Sequence, residues 1–346
     1  MTDSISPFTG AARPLARRRL LAGTALAAAS LPLGLLASRA SHAQGQAGGG
    51  KRRIKLAWMP TALCHIAVPV ALHKGFFDKY DIEADTISWE GSTDLLLQAL
   101  SSGDSDVALG MALRWIKPLE AGFDIKLTGA THGGCMNLLA KPSANLHTFE
   151  DLRGKIIGVG DIAGVDRNFF AIALAKRGID PNKDVEWRQF PKDLLGAAID
   201  KGDADLISTS DPLAYLFKQR NGLVEVVTNV SAEYADRSCC IIGVRGSLWR
   251  ENKAVPIAAT HALVEAAQWT HENPDEAAQI YAQYAPKQNP ADLGRMLRAL
   301  TNHRHPIGGD FRQEIIDYTE ELKTVKVIKP TTDSRRFADR VVVDIT

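Results

Sequence analysis

Short apolar runs alternate along this chain with segments of helical period, and the order of the two kinds is repeated. "IKLAWMP" at 54–60 is an apolar run stopped by Pro60, 67–74 is helical in pattern, and "IEADTISW" at 82–89 alternates as a strand does. "TDLLLQALSSG" at 93–103 reads as a helix with Thr93 as its cap and Gly103 as its stop, and "DVALGM" at 106–111 as a buried parallel strand. The order returns as "KIIGVG" at 155–160, a helix through 169–176, "DVEWRQF" at 184–190, a helix from 193 to 201, and "DLIST" at 205–209. One stretch is close to a copy: "DLLLQALSSGDSDVALGM" (94–111) lies over "DLLGAAIDKGDADLISTS" (193–210), sharing Asp, Leu, Leu, a central Ala and Gly-Asp-x-Asp.

Strands alternating with helices of this length indicate β-α-β units, each closing a parallel sheet with helices on both faces. The fold class is therefore α/β, with two similar lobes of mainly parallel sheet. After Asn229 the repeat ends: "CCIIGVRG" reads as a strand and "PIAATHALVEAAQWTHENPDEAAQIYAQY" as two amphipathic helices split at Asn273-Pro274. The remainder is helical to about Thr324, with a strand-like "VVVDI" near the end. The chain's return to the first lobe is placed at 231–239, so two hinge strands join the lobes. Residues 54–139 and 240–346 are assigned to lobe 1 and 140–239 to lobe 2.

Two such lobes face each other across a cleft at the carboxyl ends of their strands, where open α/β sheets place ligands. The loops expected to line it are "TALCH" from Thr61, "EGST" from Glu90, "GMAL" from Gly110 and "THGGCMN" from Thr131, opposite "DIAGVDR" from Asp161 and "TSDP" from Thr209. The candidate ligand-binding residues are thus Thr61, Cys64, His65, Gly91, Ser92, Gly110, Met111, His132, Gly133, Gly134 and Cys135 on one side, and Ile162, Ala163, Gly164 and Asp211 on the other. A helix amino terminus offers free N–H groups and a partial positive charge, so the small residues Ala163 and Gly164 would admit an anion to the backbone. Arg114, Arg167 and Arg237 are the cations nearest these loops, and arginine can hold a carboxylate or sulfonate in bidentate fashion. Asp211-Pro212 reads as a helix cap with proline at the first helical position; if Asp211 also faces the cleft, it favours a ligand bearing an amine.

Composition changes the picture mainly at the amino terminus. The chain has 346 residues and a formal charge of +1, but beyond Ala43 36 basic residues face 39 acidic ones, which leaves no electrostatic footprint for nucleic acid. "ARRRLLAGTALAAASLPLGLLASRASHAQG" places arginines before a Leu/Ala stretch that ends in Ser-His-Ala, so residues 1–43 read as a cleaved export signal. Arg17, Arg18, Arg19, Leu20 and Leu21 resemble the twin-arginine type of leader; an ordinary secretory signal is the alternative. Residues 44–53 read as a flexible tether, and the mature chain is expected in the periplasm.

Four cysteines in an exported chain invite a disulfide, yet Cys239 and Cys240 are adjacent and Cys64 and Cys135 stand apart, so small buried hydrophobes are the default and a Cys64–Cys135 bridge the exception. "CH" and "THGGC" lack the paired spacings of a zinc site, and no metal or cofactor is expected. No Gly-x-Ser-x-Gly, phosphate-binding loop or catalytic carboxylate pair is present, which argues against an enzyme.

"KGFFDKYDIEADT", "LLLQALSSGDSDVALG" and "FEDLRGKIIGVGDIAGVDRNFFAIALAKRGIDPNKDVEW" resemble the substrate-binding proteins of nitrate, sulfonate and taurine type ABC importers over residues 55–246. That resemblance implies the type II periplasmic binding protein fold, a monomer closing on a small, anionic ligand, and delivery to a permease with its ATPase. The cleft loops match no single ligand's signature, so nitrate, alkanesulfonates, taurine and aromatic carboxylates stay open. Thiamine-precursor synthases resemble the same family, but their run of clustered cysteines is absent. A binding protein feeding a sensor is the third reading.

Overall fold

The computed structural model describes residues 50–90, 92–230, 234–300 and 304–346. The expected leader, the tether up to residue 49 and the candidate Gly91 lie outside them. No helix among the described residues is long and apolar enough to cross a membrane.

Among the described residues ten strands form two five-stranded sheets: β1 (Arg52–Trp58), β2 (Ile82–Ser88), β3 (Val107–Met111), β4 (Ile125–His132), β5 (Met136–Ala140), β6 (Ile156–Val159), β7 (Glu186–Gln189), β8 (Leu206–Ser210), β9 (Val224–Thr228) and β10 (Cys240–Arg245). The first sheet has the order β2-β1-β3-β10-β4 and the second β7-β6-β8-β5-β9. Each is built alike: parallel pairs at one side, and a fourth strand, β10 or β5, running antiparallel to both of its neighbours. The antiparallel strand is in each case the one that has just crossed from the other sheet. The chain crosses between His132 and Met136 and returns between Thr228 and Cys240, giving the two connections read from the sequence. The expected lobe boundary at 139/140 falls inside β5, whose ladder runs to β8 and β9 in the second sheet.

Thirteen α-helices of the described residues fill the intervals. The first sheet is followed by α1 (Ala67–His73), α2 (Phe76–Lys79), α3 (Thr93–Ser102) and α4 (Ala112–Glu120), and the second by α5 (Val165–Ala175), α6 (Leu195–Lys201) and α7 (Leu213–Asn221). The rest, α8 (Gly246–Glu251), α9 (Ala254–Glu272), α10 (Pro274–Ala282), α11 (Pro290–Ala299), α12 (Gly308–Thr324) and α13 (Ser334–Val341), come after the return. The break at Asn273-Pro274 is where expected, with proline opening α10 because its missing N–H is an orphan at that position anyway.

The repeat has one structural meaning in both sheets. α3 and α6 each end on a left-handed glycine, Gly103 and Gly202, a conformation that costs glycine nothing. The second aspartate of Gly-Asp-x-Asp then fixes the first strand of its repeat, β1 or β6: Asp106 Oδ2 accepts from the Lys55 N–H (3.0 Å), and Asp205 Oδ2 from the Ile156 N–H (2.8 Å). The entry to β3 is thereby registered on β1, and that to β8 on β6, by the same backbone-to-carboxylate bond.

Three details depart from the reading above. The cap of α3 is Ser92, whose side chain accepts from the Leu95 N–H, so Thr93 is already helical. Pro212 occupies the cap of α7 and Asp211 precedes it, although Asp211 Oδ1 still accepts from the Tyr215 N–H. "VVVDI" forms no strand: Val341 ends α13 and Val342 makes a single bridge to Leu127.

Candidate ligand cleft

The carboxyl ends of β1, β3 and β4, with the start of β10, gather most of the first-lobe candidates. β1 leads through an exposed Thr61 into a short 3-10 turn, Leu63–His65, whose residues are all buried. The Met59 N–H donates to His65 Nδ1 (3.0 Å), which fixes the ring and leaves Nε2 buried with no hydrogen-bond partner. His132 closes β4 opposite Cys240, and both its ring nitrogens are buried and unpartnered. Gly133, Gly134 and Cys135 form the outgoing crossover and are buried. Gly134 is required by packing, since a Cβ there would lie 2.4 Å from Asn229 Oδ1, the acceptor of the Met136 N–H. Gly110 likewise makes room for a side chain: its missing Cβ would sit 2.2 Å from the Trp115 indole, which also covers Gly243 on β10. Met111, half-buried, caps α4.

The four cysteines, scattered in sequence, converge here. All are free and buried, and their contacts run in series from Cys64 to Cys240, Cys239 and Cys135. Contact with the Cys240 thiol, with the imidazoles of His65 and His132 beside it, holds Cys64 below the ordinary thiol range, whereas Cys239 and burial push Cys135 above it. The isolation read for Cys64 and Cys135 is therefore corrected by the fold: the two crossovers bring them beside the Cys239-Cys240 pair.

On the second-sheet side the amides of the β6–α5 loop are already engaged. The Ile162 N–H donates to Gln189 Oε1 (3.3 Å), the Ala163 N–H to Asp161 Oδ1 (2.8 Å) and the Gly164 N–H to the Asp161 carbonyl (2.9 Å). A ligand seeking these N–H groups would compete with local acceptors. Arg114, on α4, reaches across to Asp161 (3.3 Å) while also holding Asp94 (2.9 Å), so it ties the two sides together. Arg167 donates to Asn168 and Asn182 and lies over the Trp187 ring. Asp166, in the first turn of α5, has a buried Oδ1 without partner, and burial raises its carboxyl to about 7. Burial also raises Asp211.

Between the sheets lies a small cavity of about 10 Å³, lined by Ala112 and Leu113 of α4, Val165 and Phe169 of α5, the returning crossover and Tyr318 of α12. Its polar wall is Arg237. One arm of the guanidinium pairs with Glu321, the plane lies over the Tyr318 ring (4.2 Å to its centroid), and Nη2 is buried with no partner. Around it the Ser238 N–H donates to Glu314 Oε2 (3.2 Å) and the Tyr318 hydroxyl donates to the Ser238 carbonyl. Tyr318, Glu314, Asn229, Tyr234 and Phe169 were not anticipated. α12 is helical in pattern, but nothing local says that it packs against α4 and α5 beside the crossover.

Two such sheets, each completed by a strand returned from the other, with a cavity at the crossing, define the two-lobed periplasmic binding protein fold. The chain belongs to the NMT1-like family, whose model matches residues 47–285. Among solved structures it is similar to the alkanesulfonate-binding protein SsuA from Xanthomonas axonopodis pv. citri bound to MOPS, with a TM-score of 0.69 at 15% identity, covering 86% of this chain and all (100%) of that one. The periplasmic nitrate-binding protein NrtA from Synechocystis PCC 6803 superposes with a TM-score of 0.66 at 16% identity, over 84% of this chain and 86% of its own. A putative binding protein, YtlA, of Bacillus subtilis (strain 168) is 24% identical over 224 residues, 63% of this chain and 66% of that protein, just under two thirds of its length.

Proposed function

We propose that this chain is the extracytoplasmic solute-binding component of an ABC importer, capturing a small anion between its lobes and delivering it to a permease. The observation that carries the ligand's charge is the unpartnered, buried Nη2 of Arg237 in the wall of the cavity between the sheets. A buried guanidinium N–H without an acceptor is costly, and a carboxylate, sulfonate or nitrate oxygen meets it with a charge-assisted hydrogen bond. The alkanesulfonate- and nitrate-binding neighbours support that class of ligand. The candidates on the first-sheet side would form the floor of the site, and Gly164 and its neighbours its opposite rim.

A zwitterion is the second reading, favoured by the buried Asp166 Oδ1 that also lacks a partner. An ammonium would satisfy it while the acidic end of the same molecule meets Arg237.

A ligand that binds only the folded chain raises its melting temperature with concentration over Kd. Thermal-shift titration with nitrate, a short alkanesulfonate, taurine and a benzoate is expected to reveal one class of stabilising anion, recovered chemically intact. Arg237→Gln is expected to abolish that shift. An undiminished shift in the Arg237 variant, or recovery of a reaction product, rejects the reading.

A further inference from the structure

We infer that Cys64 and Cys240 form a binding site for one thiophilic monovalent d10 cation, of which Cu(I) is the biological case, on the floor of the cleft. The site is independent of the solute held between the lobes.

Three donor atoms, Cys64 Sγ, Cys240 Sγ and a ring nitrogen of His65, lie within 4.8 Å of one another, and all three residues are buried. The sulfurs come from different elements, Cys64 from the 3-10 turn after β1 and Cys240 from the first position of β10. The sheet therefore sets their separation rather than a local loop. Neither is in a disulfide.

The ion is chosen by what this set lacks. A structural zinc site closes a tetrahedron with four ligands, and a metal-bound histidine normally donates its other ring N–H to an acceptor. Here the partner of His65 Nδ1 is itself a donor, the Met59 N–H at 3.0 Å, so Nδ1 carries the lone pair and the neutral ring carries its proton on Nε2. His65 is thus a hydrogen-bond donor toward the sulfurs and not a third ligand. Two thiolates with no third ligand inside that mutually close group suit a soft monovalent ion that accepts few ligands, whereas hard or four-coordinate ions are left unsatisfied. An iron–sulfur cluster would need four thiolates around one centre, but Cys239 and Cys135 continue the row of thiols away from this pair.

On binding, each thiol exchanges its S–H bond for an S–Cu bond, so one Cu(I) displaces two protons to solvent with no change of oxidation state. The bis-thiolate complex carries one net negative charge. The buried Nε2–H of His65, without a hydrogen-bond partner in the unloaded chain, is the group placed to face it.

The test is an anaerobic titration of the reduced full-length chain with Cu(I) against a coloured Cu(I) chelator, with Zn(II) offered in parallel. The expected result is one Cu(I) withdrawn per chain, two sulfur neighbours and no nitrogen in its X-ray absorption spectrum, and no comparable uptake of Zn(II). Cys64→Ser and Cys240→Ser should each abolish uptake while Cys135→Ser retains it; melting curves establish that all three variants are folded. No withdrawal of Cu(I), uptake unchanged in folded Cys64→Ser, loss in Cys135→Ser instead, or equally tight uptake of Zn(II) overturns the assignment.

Discussion

Asp106 and Asp205 occupy the same place in the two repeats and make the same bond, but they do so in different surroundings. Asp205 is exposed and accepts from the Ile156 N–H. Asp106 accepts from the Lys55 N–H and also receives Nε and Nη2 of Arg245 from β10, in a pair only 16–20% exposed. The scaffold bond is common to both sheets, and the extra arginine is present only where the returning strand must be locked to β3. The strand ends diverge further. Those of the first sheet carry Cys64, His65, His132 and Cys240, those of the second Asp161, Asp166 and Asp211. Repetition has kept the bonds that register neighbouring strands on one another and left the residues beyond the strand ends free to take up separate chemistry.

That comparison can be broken at its base. Asp106→Ala removes a partly buried, charge-assisted set of bonds and should cost about 3 kcal/mol, whereas Asp205→Ala, losing one solvated bond, should cost about 1 kcal/mol. Urea unfolding of the two variants measures the ratio, and equal losses would show that Arg245 adds nothing to the repeat's common bond.

The chemical divergence of the strand ends is tested by pH. Burial raises the Asp166 carboxyl to about 7 in the folded chain, against an unfolded value near 4. Between those values the unfolded chain has lost a proton that the folded one keeps, so stability falls as pH rises from about 4 to 7 and levels off above. Asp166→Asn should abolish that slope and stabilise the chain by about 1–3 kcal/mol at pH 8. Melting temperatures across the range check it; parallel curves for variant and parent would place Asp166 in a solvated setting.

The smallest effect concerns the bond that joins the two sides. Arg114 holds Asp94 beside the first sheet and Asp161 beside the second, both acids being about half exposed. Arg114→Gln should cost about 0.5 kcal/mol and shift the chain toward a more open form, visible as a larger radius of gyration in small-angle scattering at low salt. The same radius in parent and variant would leave Arg114 no part in holding the cleft closed.

How far the candidate site could be read in advance follows from the same division. The repeat, the parallel units and the helix break at Asn273-Pro274 were legible because they rest on local period and on glycine and proline. Thr93 failed as the cap of α3 by one residue, since Ser92 can cap equally well and only the chain's entry angle chooses between them. "VVVDI" failed because an apolar run of that length serves a helix end as readily as a strand, and packing against Leu127 decides.

What the amino-acid sequence determined by itself is the doubled α/β scaffold, since each β-α-β unit is specified within some fifty residues by hydrophobic period and turn chemistry. What only the tertiary structure decided is the content of the cleft. The meeting of Cys64 and Cys135 with Cys239 and Cys240, and of Arg237 with Tyr318 from α12, depends on two crossovers exchanging strands between sheets. Contacts made at such separations follow from how the lobes are completed, and no local pattern of residues encodes them.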